Sequence, residues 1–315
     1  DRLQAELDDL DRVEVQQANR KVVMTREERI AVLAGSWYED QASEYASYGD
    51  EFFDALLALD DENFPVARDG FAAVLANAES PVYLILEHAK ACTLLGDSDA
   101  AVAGYQRFLA ALPEGEGGDR RLGAHLQIGV IHGIAGDQEA ALDAFQRAVE
   151  DFPDDYRSYF AFGQQLRISG APTEALEVLE LALNRAGENP DWSLLEEIGL
   201  TLAETGDTAR ATAQLEAVLK RFVDRGDPSV PARTSWKLAA LYEEQGRMDR
   251  AADVWRMLAE RGPGPDRARA HGEAGRLLAV IGLDDEAKKM LKRGLALAPE
   301  EGPLRADLEA KLAAI

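Results

Sequence analysis

The sequence predicts an all-α solenoid of stacked antiparallel helix pairs, and three observations carry that prediction. One order of small, large and turn residues recurs seven times between about residues 48 and 301. In each copy, apolar residues fall at helical steps on both sides of a turn residue, which divides the copy into two helix-length pieces. A helix pair of about 34 residues cannot bury its own apolar face, so the copies have to stack and share one interior.

The elements follow in chain order. Leu3, Leu7 and Leu10 stand at helical spacing among charged residues, which predicts a short amphipathic helix within 1–22. Thr25-Arg26-Glu27-Glu28 is a capping box. It opens a second helix expected to run through Ile30, Leu33, Trp37 and Tyr38 toward Tyr45. Residues 1–47 are therefore read as an N-terminal helical extension or cap, with a degenerate repeat as the alternative.

Residues 48–301 hold the seven repeats. The first is the weakest: Ala55, Ala58, Ala67, Phe71 and Val74 fit, but Glu62 stands where the others carry a turn glycine. In the second, His88-Ala89 leads to Cys92, Gly96, Ala101, Tyr105, Phe108 and Pro113. The third is the clearest, with Ile128-Gly129, His132, Gly136, Ala141, Phe145, Ala148 and Pro153. Phe162-Gly163, Leu166, Gly170, Ala175, Leu179 and Ala182 make the fourth. Ile198-Gly199, Leu202, Gly206, Ala211, Leu215 and Val218 make the fifth. The sixth runs from Leu238-Ala239 through Tyr242, Gly246, Ala251, Trp255 and Leu258 to Pro263. The seventh runs from Ala274-Gly275 through Leu278, Gly282, Ala287, Leu291 and Gly294 to Pro299. Leu304, Leu308 and Leu312 then recur every four residues, so 302–315 is expected to be a capping helix over the last apolar face.

The spacing has a physical basis. Small residues at 129, 163, 199 and 275, and alanines in the second helices, let backbones approach. The turn glycines supply a left-handed residue that ends the first helix. Asp97, Asp137 and Asp207 follow three of those glycines and are placed to cap the second helix. Pro113, Pro153, Pro263 and Pro299 close it. Successive repeats begin 34, 40, 34, 36, 40 and 36 residues apart. The two long intervals contain Glu114–Asp119 and Asp224–Ser229, which read as solvated connecting loops.

This pattern resembles the tetratricopeptide repeat family. The resemblance implies a right-handed superhelix whose first helices line a concave wall, and a non-enzymatic scaffold that binds a partner segment there. The wall candidates are Tyr83, Leu86, Lys90, Leu126, Val130, Arg157, Phe160, Gln164, Arg167, Arg233 and Trp236. They mix apolar side chains with basic ones, which suits a peptide bearing apolar and acidic groups; the equal alternative is that the arginines pair with neighbouring glutamates and only solvate the wall. Some family members clamp a C-terminal carboxylate with a Lys-Asn pair on one first helix. The matching positions here are Leu86 with Lys90, Leu126 with Val130, and Phe160 with Gln164, so that ligand is not carried over. The alternative function is a structural subunit docked through its N-terminal helices or convex face in a larger assembly, possibly at the cell envelope.

Composition narrows the partners. Formal net charge is −24 over 315 residues, which disfavours nucleic acid and anionic membrane. The chain has no apolar run long enough to span a bilayer. One cysteine excludes an internal disulfide and a cysteine metal cluster. His88, His125, His132 and His271 take positions where other copies carry apolar or aromatic residues, so they read as packing residues, with no metal or cofactor expected. No nucleophile, nucleotide or metalloprotease motif occurs, and the reading is not an enzyme. Arginine outnumbers lysine 26 to 8, a bias of GC-rich, bacterial genes. The chain opens on Asp1, so it reads as trimmed or processed, with room for a preceding signal peptide, lipid anchor or membrane helix; location is left open between the bacterial envelope or periplasm, placed first, and the cytoplasm, placed close behind.

Overall fold

The computed structural model describes residues 24–113 and 115–315, and the helix expected within 1–22 lies outside them. Every regular element among the described residues is an α-helix. The contacts divide the chain into two compact units, 1–131 and 132–315. Unit 1 contains α1 (Arg26–Ala34), α2 (Glu39–Ala46), α3 (Asp50–Asp60), α4 (Phe64–Leu75), α5 (Tyr83–Leu95), α6 (Ser98–Ala111) and most of α7 (Gly118–Ile134). Unit 2 takes the end of α7, then α8 (Gln138–Asp151), α9 (Tyr156–Ile168), α10 (Pro172–Arg185), α11 (Trp192–Glu204) and α12 (Thr208–Asp224). It continues with α13 (Ala232–Glu244), α14 (Met248–Arg261), α15 (Gly264–Val280), α16 (Asp284–Leu297) and α17 (Pro303–Ala313).

The turns are where the repeat pattern put them. Gly96, Gly136, Gly170, Gly206, Gly246 and Gly282 all have φ between 74° and 85°. Glu62 occupies the equivalent left-handed position in the first pair, with φ 59°, so the turn forms there at a steric cost that glycine avoids. Asp97, Asp137 and Asp207 each accept a backbone N–H from three residues on, at 3.1–3.2 Å. A Cβ on Gly163 would stand 2.6 Å from Leu179 Cγ and 3.3 Å from the Ala175 carbonyl oxygen, and Gly275 faces Leu291 in the same way. The small position therefore admits a leucine from the second helix, and the alanine one turn earlier brings the backbones together.

The core of unit 2 is a continuous stack of these side chains. Leu179, Leu194, Leu215, Leu238, Leu241 and Leu258 are fully buried in it, and Phe160 and Trp236 pack on its margin. At its C-terminal end Leu308 is fully buried against Gly272 and Gly294.

Three boundaries differ from the sequence reading. The helix opened by the capping box at Thr25 stops at Ala34, because Gly35-Ser36 makes a turn in which the Ser36 hydroxyl donates to the Leu33 carbonyl at 2.8 Å. A separate helix, α2, then begins at Glu39. Gly118 and Asp119 belong to the first turn of α7, and Asp224 ends α12, so part of each long interval lengthens a helix to 17 residues. The remaining loop residues are held by arginines: Arg121 donates to the Pro113 and Glu116 carbonyls, and Arg261 to the Asp227 carbonyl.

Candidate functional site

In unit 1 the N-terminal part of α5 is covered by the chain itself. Glu44 on α2 accepts the backbone N–H groups of Val82, Tyr83 and Leu84 at 2.9–3.1 Å, which places a carboxylate on the positive end of α5. Tyr45 is fully buried, and its hydroxyl donates to Glu87 at 2.7 Å while accepting from Gln41 at 2.9 Å. Burial, reinforced by Glu87, pushes the Tyr45 phenol far above its ordinary pKa. The Tyr83 hydroxyl donates to Asp40, and burial together with that carboxylate pushes its pKa up to about 12. Arg120 lies 4.0 Å from the Tyr38 ring centroid and donates to Gln41.

This covering corrects part of the expected wall. Tyr83 and Leu86 are only 5% and 4% exposed, so neither offers a side chain to a partner. Lys90 is half-buried, and its ammonium pairs with Glu87 at 2.9 Å. Leu126 is half-buried and Val130 exposed, both on the part of α7 that belongs to unit 1.

In unit 2 the expected basic residues are brought together, but around a residue the sequence reading passed over. The side chain of Glu197 on α11 is 1% exposed. It receives Arg167 Nε from α9, Arg233 Nη2 from α13 at 3.0 Å, and Gln164 Nε2 from α9 at 3.3 Å. Arg167 also pairs with Glu204 at 2.8 Å. Burial works against the Arg167 charge, yet its hydrogen bonds to Glu197 and Glu204 and the charges of both carboxylates together outweigh it, and the guanidinium pKa rises. One carboxylate thus ties three successive first helices. Arg157 pairs with Asp155 at the start of its own helix, at 2.6 Å. These arginines are therefore already neutralised, which removes the charge argument for an acidic ligand at Arg157 and Arg167.

A signal for Glu197 was present. It stands one residue before the large-small pair Ile198-Gly199, and Glu87 and Glu273 stand at the same register in their repeats. All three hold cations: Lys90 on Glu87, Arg167 and Arg233 on Glu197, and Arg276 and Lys311 on Glu273. The abundance of carboxylates in this chain hid the register.

The open part of this face lies around Trp236. A cavity of about 470 Å³ is lined by Ala232, Arg233, Trp236, Lys237, Ala240 and Asp266. Arg269 stacks on the Trp236 ring at 4.3 Å, and Trp255 lies behind it with ring centroids 5.9 Å apart. Phe160 and Gln164 are half-buried on α9. Elsewhere, His125 and His271 are buried and His88 and His132 half-buried. Burial lowers the pKa of His88 and His271, which favours their neutral forms. Among the described residues no three metal-ligating side chains converge, and no helix is long and apolar enough to cross a membrane.

Comparison with known proteins identifies the repeat. The family model for the tetratricopeptide repeat matches residues 129–190 and 197–264. The crystal structure of the C-terminal part of a repeat-containing protein from Cytophaga hutchinsonii superposes with a TM-score of 0.61 at 15% identity, covering 82% of this chain and 99% of that one. A tetratricopeptide repeat protein from Parabacteroides merdae superposes with a TM-score of 0.57 at 12% identity, covering 86% and 99%. No curated protein matches the sequence. Residues 129–190 and 197–264 thus match the tetratricopeptide repeat, and most of the chain shares the fold of these two solved proteins.

Proposed function

We propose that this chain is a non-enzymatic protein–protein interaction scaffold that takes a segment of a partner on the first-helix face of unit 2, from Phe160 on α9 to Trp236 on α13. The observation that carries this reading is the cavity beside Trp236, an aromatic wall flanked by Arg233 and Lys237. Large pockets with an aromatic side and few polar groups are where interface energy concentrates. An apolar side chain of the partner enters against Trp236 and Ala240, and Lys237, which has no ion-pair partner among the described residues, meets a carboxylate or carbonyl of the partner. Arg233 is held in advance by Glu197, so binding orders fewer side chains. Gln164 and Arg167 border the same face and keep it rigid.

The test compares immobilised wild type with Trp236→Ala/Lys237→Glu, and with Lys237→Glu alone, by quantitative mass spectrometry of retained proteins. A partner held by the wild type and depleted on both variants, with unchanged far-UV circular dichroism, is the expected result. Equal retention by all three proteins rejects this site.

A further inference from the structure

We propose that unit 2 carries a second docking surface, on the face of its second helices, for an acidic amphipathic helix of a partner protein. The surface is a cleft of about 470 Å³ between α12 and α14, floored by Leu238 and Tyr242 of α13. Leu219, Val254 and Met257 line its sides, and Val223 is exposed at its lip. The lining runs from Glu216 to Val223 on one helix and from Arg250 to Met257 on the other. At 1.5 Å per residue each wall is about 10 Å long, room for the apolar side chains of roughly two helical turns.

Charge decides which helix fits. Of the two carboxylates at the cleft, Glu216 already accepts the Tyr242 hydroxyl. Arg247 lies over the Tyr242 ring, 4.6 Å from its centroid. Lys220 on one lip and Arg250 on the other are exposed, and among the described residues neither has a carboxylate within ion-pair distance. The next outer helix repeats this: Lys289, Lys292 and Arg293 on α16 share one face, are exposed, and have no carboxylate partner among the described residues. On the first-helix face of the same unit Arg167, Arg233 and Arg276 are each paired, and Lys237 beside Trp236 is not. Lys220 and Arg250 therefore set unpaired positive charge on the two lips of an apolar cleft that shares no lining residue with the Trp236 cavity. In about 0.1 M salt the screening length is about 10 Å, so a ligand in the cleft responds to these local cations and not to the net charge of the whole chain.

A fluorescein-labelled 16-residue peptide with Leu at i, i+3, i+4 and i+7 and Glu elsewhere is titrated with the full chain and followed by anisotropy. Saturable binding is expected. It should weaken about tenfold, a loss of about 1.4 kcal/mol, in Lys220→Glu/Arg250→Glu. It should weaken similarly for a peptide with Lys in place of Glu, and severalfold in Val223→Asp, whose site is exposed enough to leave the fold intact. Binding by Trp236→Ala/Lys237→Glu should equal wild type, which separates this surface from the one on the first helices. Equal binding of the Glu and Lys peptides, equal binding by the charge-reversed variant, or loss in the Trp236 variant overturns the proposal. So does a wild-type dimer that Lys220→Glu/Arg250→Glu dissolves, because a second copy would then be the occupant.

Discussion

Replacing Glu197 by alanine tests whether one carboxylate organises the first-helix face of unit 2. The side chain is 1% exposed, against 17% for Arg167 and 54% for Arg233. Its removal leaves the Arg167 guanidinium with Glu204 alone, while Arg233 turns to solvent. Breaking a buried ion pair by deleting one partner costs about 3–5 kcal/mol. Partial exposure of Arg167 and its remaining bond to Glu204 reduce this to about 2–3 kcal/mol. For a unit of this size that lowers Tm by roughly 5–10 °C. Glu204→Ala removes only a half-exposed partner and should cost less than about 1 kcal/mol. In the double variant Glu197→Ala/Arg167→Met no charge is left stranded, so part of the loss should return, with a coupling of about 1–2 kcal/mol. Urea titration followed by circular dichroism measures all three, and hydrogen exchange reads whether α9, α11 and α13 open together. If Glu197→Ala costs under about 0.5 kcal/mol, or no more than Glu204→Ala, the hub reading is wrong.

Two further predictions concern the ends of the chain. Burial alone would raise the Glu273 pKa, but hydrogen bonds from Lys311 and Arg276 hold it below the usual glutamate value. A depressed carboxylate stabilises the fold above its unfolded pKa of about 4.3, and that stability is lost as pH falls through the lower folded value. Docking of α17 should therefore loosen below about pH 4, seen as faster amide exchange in 303–313, and Glu273→Gln should abolish the pH dependence. At the other end, Glu62→Gly relieves a left-handed non-glycine residue and should raise stability by up to about 1 kcal/mol, less the entropy that glycine costs the unfolded chain. A loss of stability would show that Glu62 makes a compensating contact.

Much of the fold was legible because its determinants are local. A turn glycine, an aspartate one residue later and a small residue seven before it act within a single helix pair, and seven copies reinforce the signal. Glu62 and the break at Gly35-Ser36 were harder to read, since each depends on one residue adopting a turn that its neighbours alone do not dictate. The wall was legible only as a set of positions. Phe160 and Trp236 are half-buried and Arg233 exposed on the first helices of unit 2, while Tyr83 and Leu86 sit at equivalent positions and are buried.

The sequence by itself determined the helix pairs with their turns and caps, because steric and hydrogen-bonding rules over a few residues suffice for these. Only the tertiary structure decided which of the wall cations keep their charge available. Arg167 meets Glu197 across 30 residues and Arg233 meets it across 36, and Glu44 caps α5 from 38 residues away. Such pairings depend on how successive pairs stack, and Coulomb attraction in a buried site then fixes which of these cations are neutralised.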